Sequence, residues 1–113
     1  MSRLLLIAPE SDLRHSLEFA LRAEGHDVSW RASLGARDLS AHFDCTVLDH
    51  HAVGNNLQEG MSFCHAFSPV ILLANAHDHP LAASAFATVQ KPLLGPALID
   101  AIDHAVAAAG TTK

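Results

Sequence analysis

The sequence predicts a single α/β domain, a parallel sheet with helices on both faces. Two observations carry this expectation. Apolar runs bounded by Pro, Gly or charged residues recur five times with helical patterns between them, the alternation of a parallel sheet. Several runs are apolar at every position and not at every second one, as in strands buried on both faces. At 113 residues the chain is one domain, long enough to bury a core without disulfide or metal staples.

The elements follow in order. Leu4 to Ala8 is a continuous apolar run stopped by Pro9, the first strand. Ser11 or Asp12 can cap the helix that follows. Leu13, Leu17, Ala20 and Leu21 fall on one face of that helix. Glu18 precedes Arg22 by four residues, the favourable orientation for a surface ion pair, and Gly25 stands where a helix C-terminus takes glycine. Val28 and Trp30 alternate with polar residues and give a second strand nearer the sheet edge. Ser33 to about His42 makes a short second helix. Cys45 to Leu48 is the third strand, and Asp49 ends it. A loop follows from His50, with a short helix around Gln58 to Ala66. Pro69 starts the fourth strand, Val70 to Leu73. Pro80 to Ala85 is expected as a helix of one or two turns, and Phe86 to Gln90 as the fifth strand, ended by Lys91-Pro92. Pro96 opens the last helix; Leu98, Ala101, Ile102, Ala105 and Val106 form its buried stripe, with Asp100, Asp103 and His104 outward. Residues 1–109 form the domain, and Gly110 to Lys113 a frayed tail.

Composition excludes several function classes. Seven basic against twelve acidic residues give a formal charge of −5. Without a Lys/Arg cluster the chain is a poor nucleic-acid binder, because phosphate neutralisation needs those side chains. No apolar stretch is long enough to span a bilayer, and the run after Arg3 is too short for a signal peptide. The expectation is a cytoplasmic protein, with Cys45 and Cys64 reduced and Cys45 a small core residue. No Gly-rich phosphate loop follows the first strand, and no nucleophile-elbow glycine pattern surrounds a serine.

Functional groups in parallel sheets gather at the carboxyl ends of the strands. Asp49, Asn75, Lys91 and the Pro9-Glu10 turn sit at those ends. Nine histidines are unusual for this length. His50, His51, His77 and His79 follow the third and fourth strands, and with Asp49 or Asp78 they form a candidate transition-metal cluster, since imidazole suits such ions. The plainer expectation for them is solvent-exposed loop histidines. For Asp49 it is a strand-end carboxylate capping the next turn, and for Lys91 a structural partner to it.

In these positions the chain resembles a bacterial response-regulator receiver domain of the CheY-like kind. The matching stretches are Arg3 to Ile7, Leu13-Arg14 through Ala23 to Val28, Phe43 to Asp49, Pro69 to Leu73 and Gln90-Lys91-Pro92, so nearly the whole chain is covered. The resemblance implies a flavodoxin-like (βα)5 three-layer sandwich, with a five-stranded parallel sheet in the order 2-1-3-4-5. It assigns the phosphoryl-accepting role to Asp49, phosphate contact to Lys91, and Mg²⁺ as the cofactor. A histidine kinase or another signalling protein is the implied partner, with a homodimer left open as the assembly. Enzymatic activity would be limited to self-phosphorylation and dephosphorylation of Asp49.

The chain departs from the family at the pocket. Ala8 and Pro9 stand where receivers carry an acidic pair; Glu10 lies one residue late, a weak metal ligand beside Asp49, because Mg²⁺ demands near-octahedral oxygen ligands at tight distances. Ala74 replaces the Ser or Thr that hydrogen-bonds the phosphoryl group, with Asn75 next to it as a partial substitute. Thr88 replaces the aromatic switch residue. The spans from Asp49 to Ala74 and from Ala74 to Lys91 are short, so the third and fourth helices are expected to be shortened. With one carboxylate and one lysine, a direct Asp49–Lys91 ion pair can satisfy both groups with no metal. The expectation is a stand-alone, atypical receiver with weak or absent Mg²⁺-dependent phosphorylation. One alternative is an ordinary regulator phosphorylated on Asp49. The other is a metal- or small-ligand-binding module on the same fold.

Overall fold

The computed structural model describes residues 3–9, 12–32, 43–53, 57–66, 69–75, 79–91 and 97–111. The helix expected from Ser33 to His42, together with Glu10, His77, Asp78 and Pro92, lies outside the described residues. The elements are β1 (Arg3–Ile7), α1 (Asp12–Ala23), β2 (Asp27–Arg31), β3 (Cys45–Asp49), α2 (His50–Val53), α3 (Leu57–Ala66), β4 (Val70–Ala74), β5 (Ala87–Gln90) and α4 (Ala97–Thr111). All strand pairs are parallel, and the sheet order is β2-β1-β3-β4-β5. This is the expected architecture.

The pleat sorts the apolar runs into two cores. Successive strand residues point to opposite faces, so Leu4, Leu6, Val47, Ile71 and Leu73 meet α1 and α4 through Leu17, Leu21, Leu98, Ile102 and Ala105. The intervening residues Leu5, Ile7, Leu48, Val70 and Leu72 meet Val53 of α2, Phe63 and Cys64 of α3, and Leu81. A strand lined on both sides this way must be apolar throughout, which is what the continuous runs signalled.

α1 ends in a Schellman motif. The amide of Gly25 donates to the Arg22 carbonyl at 3.0 Å and that of His26 to the Leu21 carbonyl at 3.3 Å, with Gly25 at φ 92°. The left-handed residue turns the chain sharply enough for β2 to begin two residues later. The buried face of α1 differs from expectation: Arg14 is only 3% exposed, whereas Ala20 is exposed. The face is rotated so that the Arg14 guanidinium stacks 3.7 Å above the Trp30 ring of β2, with Glu18 3.6 Å from it. The apolar stem and delocalised charge of arginine let it cover a sheet edge in this way.

The crossovers beyond β3 are short, and their details differ from the sequence reading. His50 to Val53 is a turn of helix and not loop. Pro80 to Ala85 makes no helix; hydrogen-bonded turns run from Ala82 to His79 and from Ser84 and Ala85 to Leu81. β5 begins at Ala87, with Phe86 half-exposed although its amide donates to the Val70 carbonyl. α4 runs on to Thr111, two residues into the segment read as a tail.

Leu81 replaces what a fourth helix would bury: it is 0% exposed although it lies in a turn. Gly60 makes room for it, since a Cβ there would lie 2.9 Å from Val53 Cγ1 and 3.0 Å from Leu81 Cδ1. Leu81→Ala is therefore expected to cost about 2–5 kcal/mol, a core value and not a loop value. Gly60→Ala gains about 1 kcal/mol of helix propensity but loses about 1–3 kcal/mol to overpacking. It should destabilise the native chain, and the Leu81→Ala variant by less, because the Leu81 contacts are then gone while the Val53 contact stays, a non-additivity that a urea-denaturation double-mutant cycle measures.

Both cysteines are buried and free. Burial pushes the Cys45 thiol up to about 12 and raises that of Cys64. The thiolate is the reactive form, so neither should react with a thiol reagent at pH 8 in the folded protein, and both should react in denaturant.

Candidate functional site

Asp49 is the last residue of β3, a central strand, and is 2% exposed. Lys91 follows β5, two strands away, and its backbone amide is anchored to the Ala74 carbonyl at 2.8 Å. Strands lie about 4.8 Å apart, so the two backbones are separated by about 10 Å, a gap that a lysine stem and a carboxylate together can span. They do: Lys91 Nζ lies 2.9 Å from Asp49 Oδ1. Both side chains are largely removed from water, which strengthens the attraction relative to a surface pair.

The same oxygen accepts the His51 backbone N–H at 3.0 Å. Asp49 thus caps the first turn of α2 while holding Lys91, so the capping and pairing roles belong to one side chain. The His51 ring turns back onto the pair, with Nδ1 3.3 Å from both Asp49 Oδ1 and Lys91 Nζ. His50 stacks against His51 with ring centroids 4.1 Å apart, and edge-on against His79 at 5.3 Å. Burial, followed by the electrostatic influence of the neighbouring His51 ring and the Lys91 ammonium, lowers the His50 pKa from its ordinary value, against the pull of Asp49. His79 Nδ1 accepts the Leu81 backbone N–H at 3.1 Å.

The structure therefore brings together Asp49, Lys91, His50 and His51, with His79 on their edge. It does not bring in Asn75, which is exposed and accepts the Gln90 side-chain amide at its backbone carbonyl, 3.2 Å away. Ala74 is fully buried in the second core and Thr88 half-buried in β5. The sequence reading missed the Arg14–Trp30 stack and the turn that folds His51 back onto Asp49. An aspartate directly before a helical turn was the available signal for the latter.

No protein-family model matches the chain, and no curated protein matches it in sequence. Solved structures do. A CheY-like receiver domain protein from Methanospirillum hungatei JF-1 superposes with TM-score 0.82 at 19% identity, over 100% of this chain and 99% of that one. Full-length FixJ from B. japonicum gives TM-score 0.77 at 23% identity, over 96% of this chain, which spans 59% of that protein. The receiver domain of a Pseudomonas aeruginosa PAO1 sensor histidine kinase, with magnesium coordinated in its active-site cleft, gives 0.75 at 14% identity, over 94% and 98% of the two chains. The fold is that of CheY-like response-regulator receivers.

The donor set among the described residues does not by itself suit magnesium. Among the described residues at the carboxyl ends of the strands, Asp49 is the one carboxylate; its neighbours are Ala8, Pro9, Ala74, two imidazoles and an ammonium. Mg²⁺ requires oxygen ligands in near-octahedral array, and this set offers it one carboxylate among nitrogen donors and apolar side chains.

Removing one partner of a buried pair leaves an uncompensated charge, at a cost of about 3–5 kcal/mol. Lys91→Met should approach that loss at pH 7, and adding Asp49→Asn should recover most of it, since the amide oxygen still caps α2. Chemical denaturation of the two singles and the double checks this.

Proposed function

We propose that this chain is an atypical receiver of a two-component signalling system, cytoplasmic, which works by binding a histidine kinase or another signalling protein, with little or no Mg²⁺-dependent phosphorylation. The reading is supported by the receiver fold and carried by one observation, the Asp49–Lys91 ion pair at 2.9 Å on the carboxyl edge of the sheet. Phosphoryl transfer to a carboxylate relies mainly on positioning and on neutralising charge at the transferred group. Among the described residues the one lysine charge near Asp49 is already matched by it, and Ala74 offers no hydroxyl to a phosphoryl oxygen. The surface of the domain, and not chemistry at Asp49, is then what partners read.

Incubation with acetyl phosphate and Mg²⁺, followed by intact-mass spectrometry, separates this reading from an ordinary regulator. The expected spectrum shows no phosphoryl adduct. A stoichiometric adduct mapped to Asp49 supports the ordinary regulator instead.

A further inference from the structure

Consecutive residues of a strand point to opposite faces and do not share a ligand. Asp49, His50 and His51 escape that rule because the chain passes from β3 into α2 between Asp49 and His50. The turn folds one donor atom from each of the three to within 4.8 Å of one another. We propose that these three residues form a binding site for a borderline divalent transition metal of the Zn²⁺ class, in which the metal competes with Lys91 for Asp49.

The donor chemistry selects the metal. One carboxylate and two imidazoles suit Zn²⁺ and its neighbours, whereas oxygen-only ions are poorly served. Three protein ligands are the number found in zinc sites that keep a further position open. His51, with its side chain 58% exposed, places that position toward solvent. His79 is not counted as a ligand. Its Nδ1 is engaged by the Leu81 amide, so the neutral ring carries its proton on Nε2 and has no lone pair left to give. It walls the site by packing edge-on against His50.

Two observations point to a cation independently of the spacing. First, Lys91 Nζ sits 2.9 Å from Asp49 Oδ1 and 3.3 Å from His51 Nδ1. The ammonium rests between two of the proposed ligands, so a positive charge is already stabilised there. Second, His50 Nε2 is buried without a hydrogen-bond partner among the described residues, an uncommon state for a native polar atom. Because Lys91 is a flexible, singly charged occupant, a divalent ion with three covalent-strength ligands can displace it toward solvent. The site stands on the atoms around Asp49 and does not depend on the signalling reading.

Equilibrium dialysis against Zn²⁺, with affinity from isothermal titration calorimetry, tests the site in the full chain. One equivalent should be retained. His51→Ala removes an exposed ring but keeps the capping amide, so the fold is spared; it should weaken Zn²⁺ by at least about tenfold, since even outer-shell losses reach that scale. His15→Ala and His104→Ala, on exposed helix surface, should leave the affinity unchanged. Lys91→Met should tighten it by at least about tenfold, the removal of an opposing charge at close range. No retained zinc, or an affinity indifferent to His51→Ala, overturns the site. An affinity unchanged by Lys91→Met overturns the competition. Because no phosphoryl donor is present, none of these outcomes depends on whether Asp49 can be phosphorylated.

Discussion

A parallel sheet covered on both faces leaves almost no place for polar chemistry along its strands. In β1, β3 and β4 nearly every side chain between the strand ends is apolar and buried in one of two cores, with Thr46 the polar exception. Charge is therefore pushed to the carboxyl edge, where strands give way to turns and backbone amides become available. That constraint puts Asp49 where it is. It also explains why its surroundings, supplied by three separate turns, are set independently of the core that holds them up.

The Asp49–Lys91 pair is the main electrostatic consequence. Burying a carboxylate costs several kcal/mol unless it is matched by charge and hydrogen bonds. Asp49 has both: the Lys91 ammonium and the His51 amide converge on one oxygen. The pair spans β4 and so ties the middle of the sheet to its β5 edge, on the side where turns replace a full helix. Leu81 makes the corresponding apolar tie below it, closing the second core from a turn.

The fold was largely legible because hydrophobic period and punctuation speak directly about burial. Leu4 to Ala8 and Val70 to Leu73 could be little else than central strands, and Gly25 marked the end of α1. Less legible were features that depend on tertiary geometry. Arg14 reads as a surface residue by type; it is buried because Trp30 offers a ring at the right height on β2. His50 and His51 read as loop residues because a four-residue helix leaves no periodicity to detect. Pro80 to Ala85 has helical composition, yet the short path from β4 to β5 and the burial of Leu81 favour turns. At the site, Asp49 and Lys91 were visible through their strand-end positions. The convergence of His51 on both was not, since it requires the angle at which α2 leaves β3.

This convergence makes Asp49 a contested group. Its carboxylate has one negative charge, and Lys91, a transition metal and a phosphoryl group each place different demands on it. Occupancy by one weakens the case for the others: a metal displaces the ammonium, and a phosphoryl group removes the carboxylate as a metal ligand and needs the ammonium close by. In a receiver pocket rich in carboxylates, metal and lysine act together because there is enough negative charge for both. With a single carboxylate among the described strand-end residues, the two cations become rivals, and histidines beside Asp49 tilt that rivalry toward metals that accept nitrogen. The set of side chains beside the aspartate thus decides which cation it can share in the proposed site, and it does so without altering the fold that presents it.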